Sequence, residues 1–191
     1  MTYDQLKQTI IDRRSIPTAQ FSPEPIKEED LRKLLALAHE APNHKKTEPW
    51  RFYVIQGDAR QRLSDFFGAY YDANTPLDKQ SEIRRKQLVE KPLQAGAVIA
   101  LCVKYSGEDV IPQWEELAAT GCAIQNMWLG CKTLGLGGFW SSPGNIKDAG
   151  KFLGFGEDTQ CLGWFYVGYT SFAPAPAQRG NLEEKVTWIS E

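Results

Sequence analysis

Arg13-Arg14-Ser15 sets two guanidinium groups and a hydroxyl side by side, where a helical pattern gives way to a proline-interrupted stretch. Each guanidinium is a planar fork of donors matched to phosphate oxygens, and a serine hydroxyl adds a further short hydrogen bond. The triplet can therefore hold a phosphate. Two arginines also suit the last turn of a helix, where positive charge complements the macrodipole, and the triplet alone leaves both roles open. A second polar concentration, Ala41-Pro42-Asn43-His44-Lys45-Lys46-Thr47-Glu48-Pro49-Trp50, and a third, Gly137-Gly138-Phe139-Trp140-Ser141-Ser142, are the other stretches with groups suited to a ligand.

Other chemistries lack their residues. The glycines at 135, 137 and 138 do not complete G-x-G-x-x-G, because position 140 is Trp. His39-Glu40 with His44 misses the zinc-protease spacing by one residue, and Pro42 intervenes, so no metal is expected. Neither a G-x-S-x-G elbow nor a G-x-x-x-x-G-K-S/T loop occurs. Cys102, Cys122, Cys131 and Cys161 lie at least nine residues apart inside apolar segments and read as buried, reduced thiols.

The elements that position these groups follow from periodicity. Thr2 and Gln5 form a capping-box pattern ahead of Tyr3, Leu6 and Ile10, which predicts a first helix ending near Arg13. Leu31, Leu34, Leu35 and Ala38 mark a second helix stopped by Pro42. Arg51–Gln56 reads as a strand, and Leu63, Phe66, Phe67 and Tyr70 as the buried face of a third helix. The charged stretch Asp78–Lys91 reads as helical, and Ala97–Lys104 as a buried, central strand. From Gln113 to Leu134 a long helix is apolar on nearly every side, so a domain core or a subunit interface must enclose it. Gly135, Gly137 and Gly138 end that helix, Asn145–Leu153 reads as a short helix, Gln160–Tyr169 as a strand, and the tail as extended. This irregular alternation gives an α+β class, with residues 1–191 as one domain.

Twenty-two Lys and Arg against 24 Asp and Glu, a net charge of −2 without a long single-sign run, argue against a nucleic-acid partner. The most apolar stretch is too short to span a bilayer and the N-terminus has no signal-peptide core, so no membrane partner and a cytoplasmic location are expected.

Arg13-Arg14-Ser15 and the Ala41–Trp50 stretch together resemble the opening of the nitroreductase family, in its small YdjA-like branch, where A-P-D-H-x-x-x-Q-P-W follows R-R-S at a similar distance. Trp114-Glu115-Glu116 through Gly121-Cys122-Ala123 to Trp140-Ser141-Ser142 is similar to that family's long central helix and glycine-rich exit. Arg179-Gly180-Asn181 is similar to a common basic ending.

The resemblance implies an α+β sheet flanked by helices in an interlocked homodimer, with FMN in each of two interface clefts. It further implies hydride transfer from NADH or NADPH through FMN to an electron-poor small molecule, such as a nitroaromatic or quinone, in a ping-pong cycle. Arg13, Arg14 and Ser15 would hold the FMN phosphate and ribityl chain, and His44 and Glu48 would reach the same or the partner's flavin. Trp140, Ser141 and Ser142 would form a loop closing on it. Gly130, Cys131, Lys132, Thr133, Leu134 and Gly135 would contact the nicotinamide, although small residues there equally suit a close-packed helix end. No catalytic side chain is needed, because the flavin carries the chemistry. Two departures stand out: Ser141 replaces the family's arginine, for which Arg179 would compensate, and Glu48 replaces a glutamine, so when ionised it cannot donate. A flavin-binding protein with little turnover, a dedicated enone reductase or dehalogenase on the same scaffold, and a flavin-free interaction protein are the alternatives. Trp50 reads as core or as a wall of the acceptor slot, and the stretches Tyr70–Lys79 and Tyr105–Trp114 as pocket-building loops.

Overall fold

A computed structural model of the chain describes residues 1–107 and 109–190. Glu108, inside the expected 105–114 loop, and Glu191 lie outside the described residues. The fold is α+β. One antiparallel sheet, in the order β1-β2-β4-β3, joins β1 (Trp50–Ile55), β2 (Ala97–Lys104), β3 (Leu136–Ser141) and β4 (Thr159–Tyr169). Around it lie α1 (Tyr3–Asp12), α2 (Glu28–His39), α3 (Ala59–Asn74), α4 (Glu82–Gln94), α5 (Gln113–Thr133) and α6 (Ala149–Leu153).

Alternation along β2 explains why both faces are covered. Ala97, Ile99 and Leu101 point into a cluster with Leu31, Leu34 and Ala38 of α2 and Ala123, Ile124 and Met127 of α5. Val98, Ala100 and Cys102 point the other way, toward Leu63 and Phe67 of α3 and Trp164 and Tyr166 of β4. With helices on both sides, β2 reads as a continuous apolar run. Contact between α2 and α5 is close, because Gly130 has no Cβ to strike Leu34 and Leu37.

Most expected elements are present. The Thr2–Gln5 capping box forms, and Trp50 is core, 6% exposed. Helix α4 starts at Glu82, after a single 3-10 turn at Leu77–Lys79, and a 3-10 turn (Gly144–Asp148) occupies the first half of the expected 145–153 helix. Phe66 and Tyr70 are only partly buried; Ser64 and Gly68 complete the buried face of α3.

Three expectations are corrected. The 140–142 segment is not a loop: β3 runs through Ser141 in register with β4, pairing Trp140 with Phe165 and Ser141 with Trp164. Only Gly135, at φ 68°, ends α5; Gly137 and Gly138 lie inside the strand, where the lack of a side chain admits Phe21, Ile16, Trp128 and Phe165. Cys122 is exposed, unlike the other three cysteines. Helix α5 is also covered on one face only, with Trp114 68% and Leu117 42% exposed on the other.

Beyond Leu101–Cys102 the β2–β4 register shifts at a bulge, which places Cys161 and Trp164 on the same face of β4. Gly163 sits in the bulge at φ 151°, and the Trp140 indole lies against it, donating to the Leu162 carbonyl at 3.2 Å.

A Cβ at Gly138 would overlap the rigid rings of Phe165 and Trp128. Gly138→Ala is therefore expected to lower the unfolding free energy by about 1–3 kcal/mol, the usual cost of overpacking. Urea denaturation followed by circular dichroism measures it.

Candidate functional site

Arg13 follows the last residue of α1 and Arg14 comes next; extended backbone at Arg13 turns both out of the helical path. The chain then fastens to β3 through an isolated bridge of Ser15 to Gly138 and the Ile16 N–H to Gly138 carbonyl bond of 3.0 Å. These few bonds bring the end of α1, the end of α5 and the start of β3 to one place. Between them is a cleft of about 520 Å³, roofed by residues 170–174 and Pro176 of the C-terminal segment.

Positive charge gathers at this cleft. The Arg13 guanidinium lies 4.4 Å from the centroid of the Trp128 ring, a cation–π contact. Arg14 donates to the carbonyls of Ile11, Arg13 and Ala175, which ties the C-terminal strap to the end of α1. Burial, then the charges of Arg14 and Arg179, lower the pKa of Arg13, so exposed Arg179 lies near enough for its field to be felt. Asp12 also lines the cleft and feels the charge of Arg14, but it is bound first to other groups. Its carboxylate is held below the usual range by hydrogen bonds from Lys132 and Gln8, the first being the larger effect. The walls are otherwise apolar, including Ile11, Ile16, Leu136 and Phe172. Gly135 leaves open space where a side chain would stand.

His44 and Glu48 lie elsewhere. His44 Nδ1 is 2.7 Å from Glu115 Oε2 on the first turn of α5. Lys45, Lys46 and Glu48 all have positive φ, 43–56°, a strained run for residues with side chains. It is held by Asn43 Oδ1 accepting from the Glu48 N–H at 3.2 Å, Arg51 donating to the Glu48 carbonyl at 2.8 Å, and Lys45 donating to the Val110 carbonyl at 2.8 Å. A shallow hollow lined by His44, Trp114, Ala118 and Cys122 adjoins this turn.

The expected residues thus fall into two groups at opposite ends of the 21-residue α5. Glu115 and Lys132 are about 25 Å apart at 1.5 Å per residue. Within one chain Arg13 and Arg14 line the cleft, exposed Ser15 is bridged to Gly138 beside it, and Arg179 is near enough for its charge to act on Arg13; His44 and Glu48 are not brought to them. Trp140, whose N–H is committed to Leu162, and Ser141 belong to the sheet, with exposed Ser142 beyond it. Of the 130–135 segment, Cys131, Lys132 and Gly135 line the cleft, whereas Gly130 packs on α2. Burial pushes the Cys131 thiol up to about 12. Sequence reasoning missed Trp128 and the Asp12–Lys132 pair, for which only apolar helical spacing and an isolated acid were visible. It also missed residues 170–176, which read simply as an extended tail.

A family model described as the nitroreductase family matches residues 10–169. The chain is 29% identical to YdjA of Escherichia coli K12, provisionally named an NAD(P)H nitroreductase, over 163 residues, 84% of this chain and 86% of the other. Its fold is similar to the crystal structure of a nitroreductase-like family protein from Bacillus cereus, with a TM-score of 0.85 and 27% identity, covering 100% of this chain and 99% of that one. It is also similar, at 0.75 and 19% identity, to the FMN-dependent nitroreductase NfnB of Mycobacterium smegmatis in complex with NADPH, covering 99% and 100%.

Because the pKa of Asp12 is lowered, its link to Lys132 stabilises the fold above the unfolded carboxyl pKa and is lost as pH falls through the folded value. Carbon-detected NMR is expected to place the Asp12 midpoint below 3.8 in the native protein and to move it up in Lys132→Ala. An unchanged midpoint would mean that the pair does not persist in solution.

Proposed function

The chain belongs to the nitroreductase family, and from that premise we propose that it is an FMN-dependent oxidoreductase working as a homodimer, in the YdjA-like branch. One observation carries the reading: Arg13 and Arg14 line an apolar-walled cleft, Arg179 is near enough for its charge to act on Arg13, and the one carboxylate at the cleft, Asp12, is bound first to Lys132. That combination fits an amphipathic ligand with an anionic tail, as FMN is, and an incoming phosphate relieves the mutual repulsion of the guanidinium groups. The similarity to an FMN-dependent, NADPH-complexed enzyme supports the choice.

Arg13, held over Trp128, and Arg14 would grip the phosphate, with Ser15 and Arg179 adding donors from either side. FMN when bound accepts a hydride from NADH or NADPH and passes it to an electron-poor acceptor such as a nitroaromatic or quinone. The side chains would contribute binding, orientation and water exclusion. Cys131, Lys132 and Gly135 border the place where the nicotinamide would lie.

The length of α5 supports the second copy. His44 and Glu48 serve the same cofactor as Arg13 only if they come from a partner whose α5 runs antiparallel, so that its first turn meets the last turn of this one. The exposed face of α5, with Trp114 and Leu117, and the exposed apolar residues Tyr3, Leu6, Ile10 and Ile11 of α1 supply surface for that contact.

Two measurements test this. Purified protein incubated with FMN is expected to retain a flavin absorbance band that bleaches on anaerobic addition of NADPH and returns with a quinone; a preparation that stays colourless rejects the cofactor. Arg13→Ala and His44→Ala are each expected to weaken flavin binding. Unfolding and refolding them together would restore about a quarter of the sites, because one site of each mixed dimer receives both native residues. No restoration would put Arg13 and His44 outside a shared intersubunit site.

A further inference from the structure

Cys102 and Cys161 take no part in the cleft or in the proposed reaction, yet they are register partners across β2 and β4. Partners in an antiparallel pair project to the same face with Cα atoms about 4.5–5.5 Å apart, inside the range of about 4.4–6.8 Å that a disulfide spans. Both are free thiols in the cluster beneath Tyr53 and Phe155. The other two cysteines have no such neighbour: Cys131 is on α5 donating to the Met127 carbonyl, and Cys122 is on the exposed face of the same helix.

We propose that Cys102 and Cys161 form a dithiol that a small hydroperoxide closes to a cross-strand disulfide. The facing sulfur raises the pKa of Cys102 and lowers that of Cys161, whose thiol donates to the Gly163 carbonyl at 3.6 Å, so Cys161 is the readier nucleophile. Its sulfur attacks the peroxide and breaks the O–O bond; the departing oxygen takes the thiol proton and leaves as the alcohol, or as water from hydrogen peroxide, and Cys161 becomes a sulfenic acid. The Cys102 sulfur then attacks the Cys161 sulfur, forming the S–S bond and expelling hydroxide, which leaves as water with the Cys102 proton. Two thiols are oxidised by two electrons and one hydroperoxide is reduced. Exposure of only 0% for Cys102 and 4% for Cys161 restricts the oxidant to small, uncharged species.

The bond would close at the bulge where Leu162 accepts from Trp140 and Gly163 makes room for its ring. Oxidation therefore pins the β2–β4 register at its one irregular point.

The test uses the whole purified chain. It is exposed to hydrogen peroxide, denatured in excess iodoacetamide and digested for mass spectrometry. The expected product is a peptide pair joining Cys102 to Cys161, two hydrogens lighter than the separate peptides and split by dithiothreitol. In Cys122→Ser the titre of free thiols falls from three to one, since the chain has four cysteines. In Cys102→Ala, dimedone should label Cys161. Recovery of both residues alkylated after Cys122 is fully oxidised, or of sulfinic acids without a cross-link, overturns the proposal. The wild-type cross-link decides the matter even where the alanine variant fails to fold.

Discussion

Like charges gather at a half-buried place only when something else fixes them there, and the end of α1 is built around that constraint. Arg14 is bound to backbone carbonyls on both sides of the cleft, Arg13 lies on the face of Trp128, and Lys132 is held by Asp12. Burial, and after it the repulsion of Arg14 and Arg179, lowers the pKa of Arg13. Under the proposed function an anion would relieve this crowding of guanidinium groups, and the unfavourable charge arrangement would then supply affinity. The C-terminal strap shares in it, because Ala175 accepts from Arg14 and Arg179 adds the third positive charge.

Helix α5 is a rigid spacer between the two groups of polar residues. Its first turn fixes His44 through Glu115, and its last turn borders the arginine cleft. A helix cannot shorten to bring these ends together. Its one-sided burial, Gly130 against α2 and Trp114 in the open, leaves the opposite face for another surface. The positive-φ residues Lys45, Lys46 and Glu48 are held by bonds to Val110, Asn43 and Arg51.

Trp140 shows how a residue of apparent functional type is absorbed by the fold. Its ring needs a seat on the sheet, and the β4 bulge supplies one: Gly163 has no Cβ, and the Leu162 carbonyl faces the indole N–H. The bulge also switches the face alternation of β4 and so aligns Cys161 with Cys102. One extra residue thus serves both a packing demand and a chemical juxtaposition.

Local pattern was sufficient for much of this protein. The capping box at Thr2, the apolar stripes of α2 and α3, the buried run of β2 and the long α5 follow from backbone and burial preferences that act over a few residues. Arg13-Arg14-Ser15 carries its anion chemistry in its residue types. Glycine is where local reasoning gave out: Gly135, Gly137 and Gly138 look alike in sequence, yet only the first needs a left-handed backbone, while the others admit rings from distant segments. Whether a missing side chain serves a turn or a close approach depends on what arrives from elsewhere in the chain. Trp128 beneath Arg13, the strap over the cleft and the separation of His44 from Arg13 are likewise tertiary facts, because each joins residues that no sequence periodicity relates.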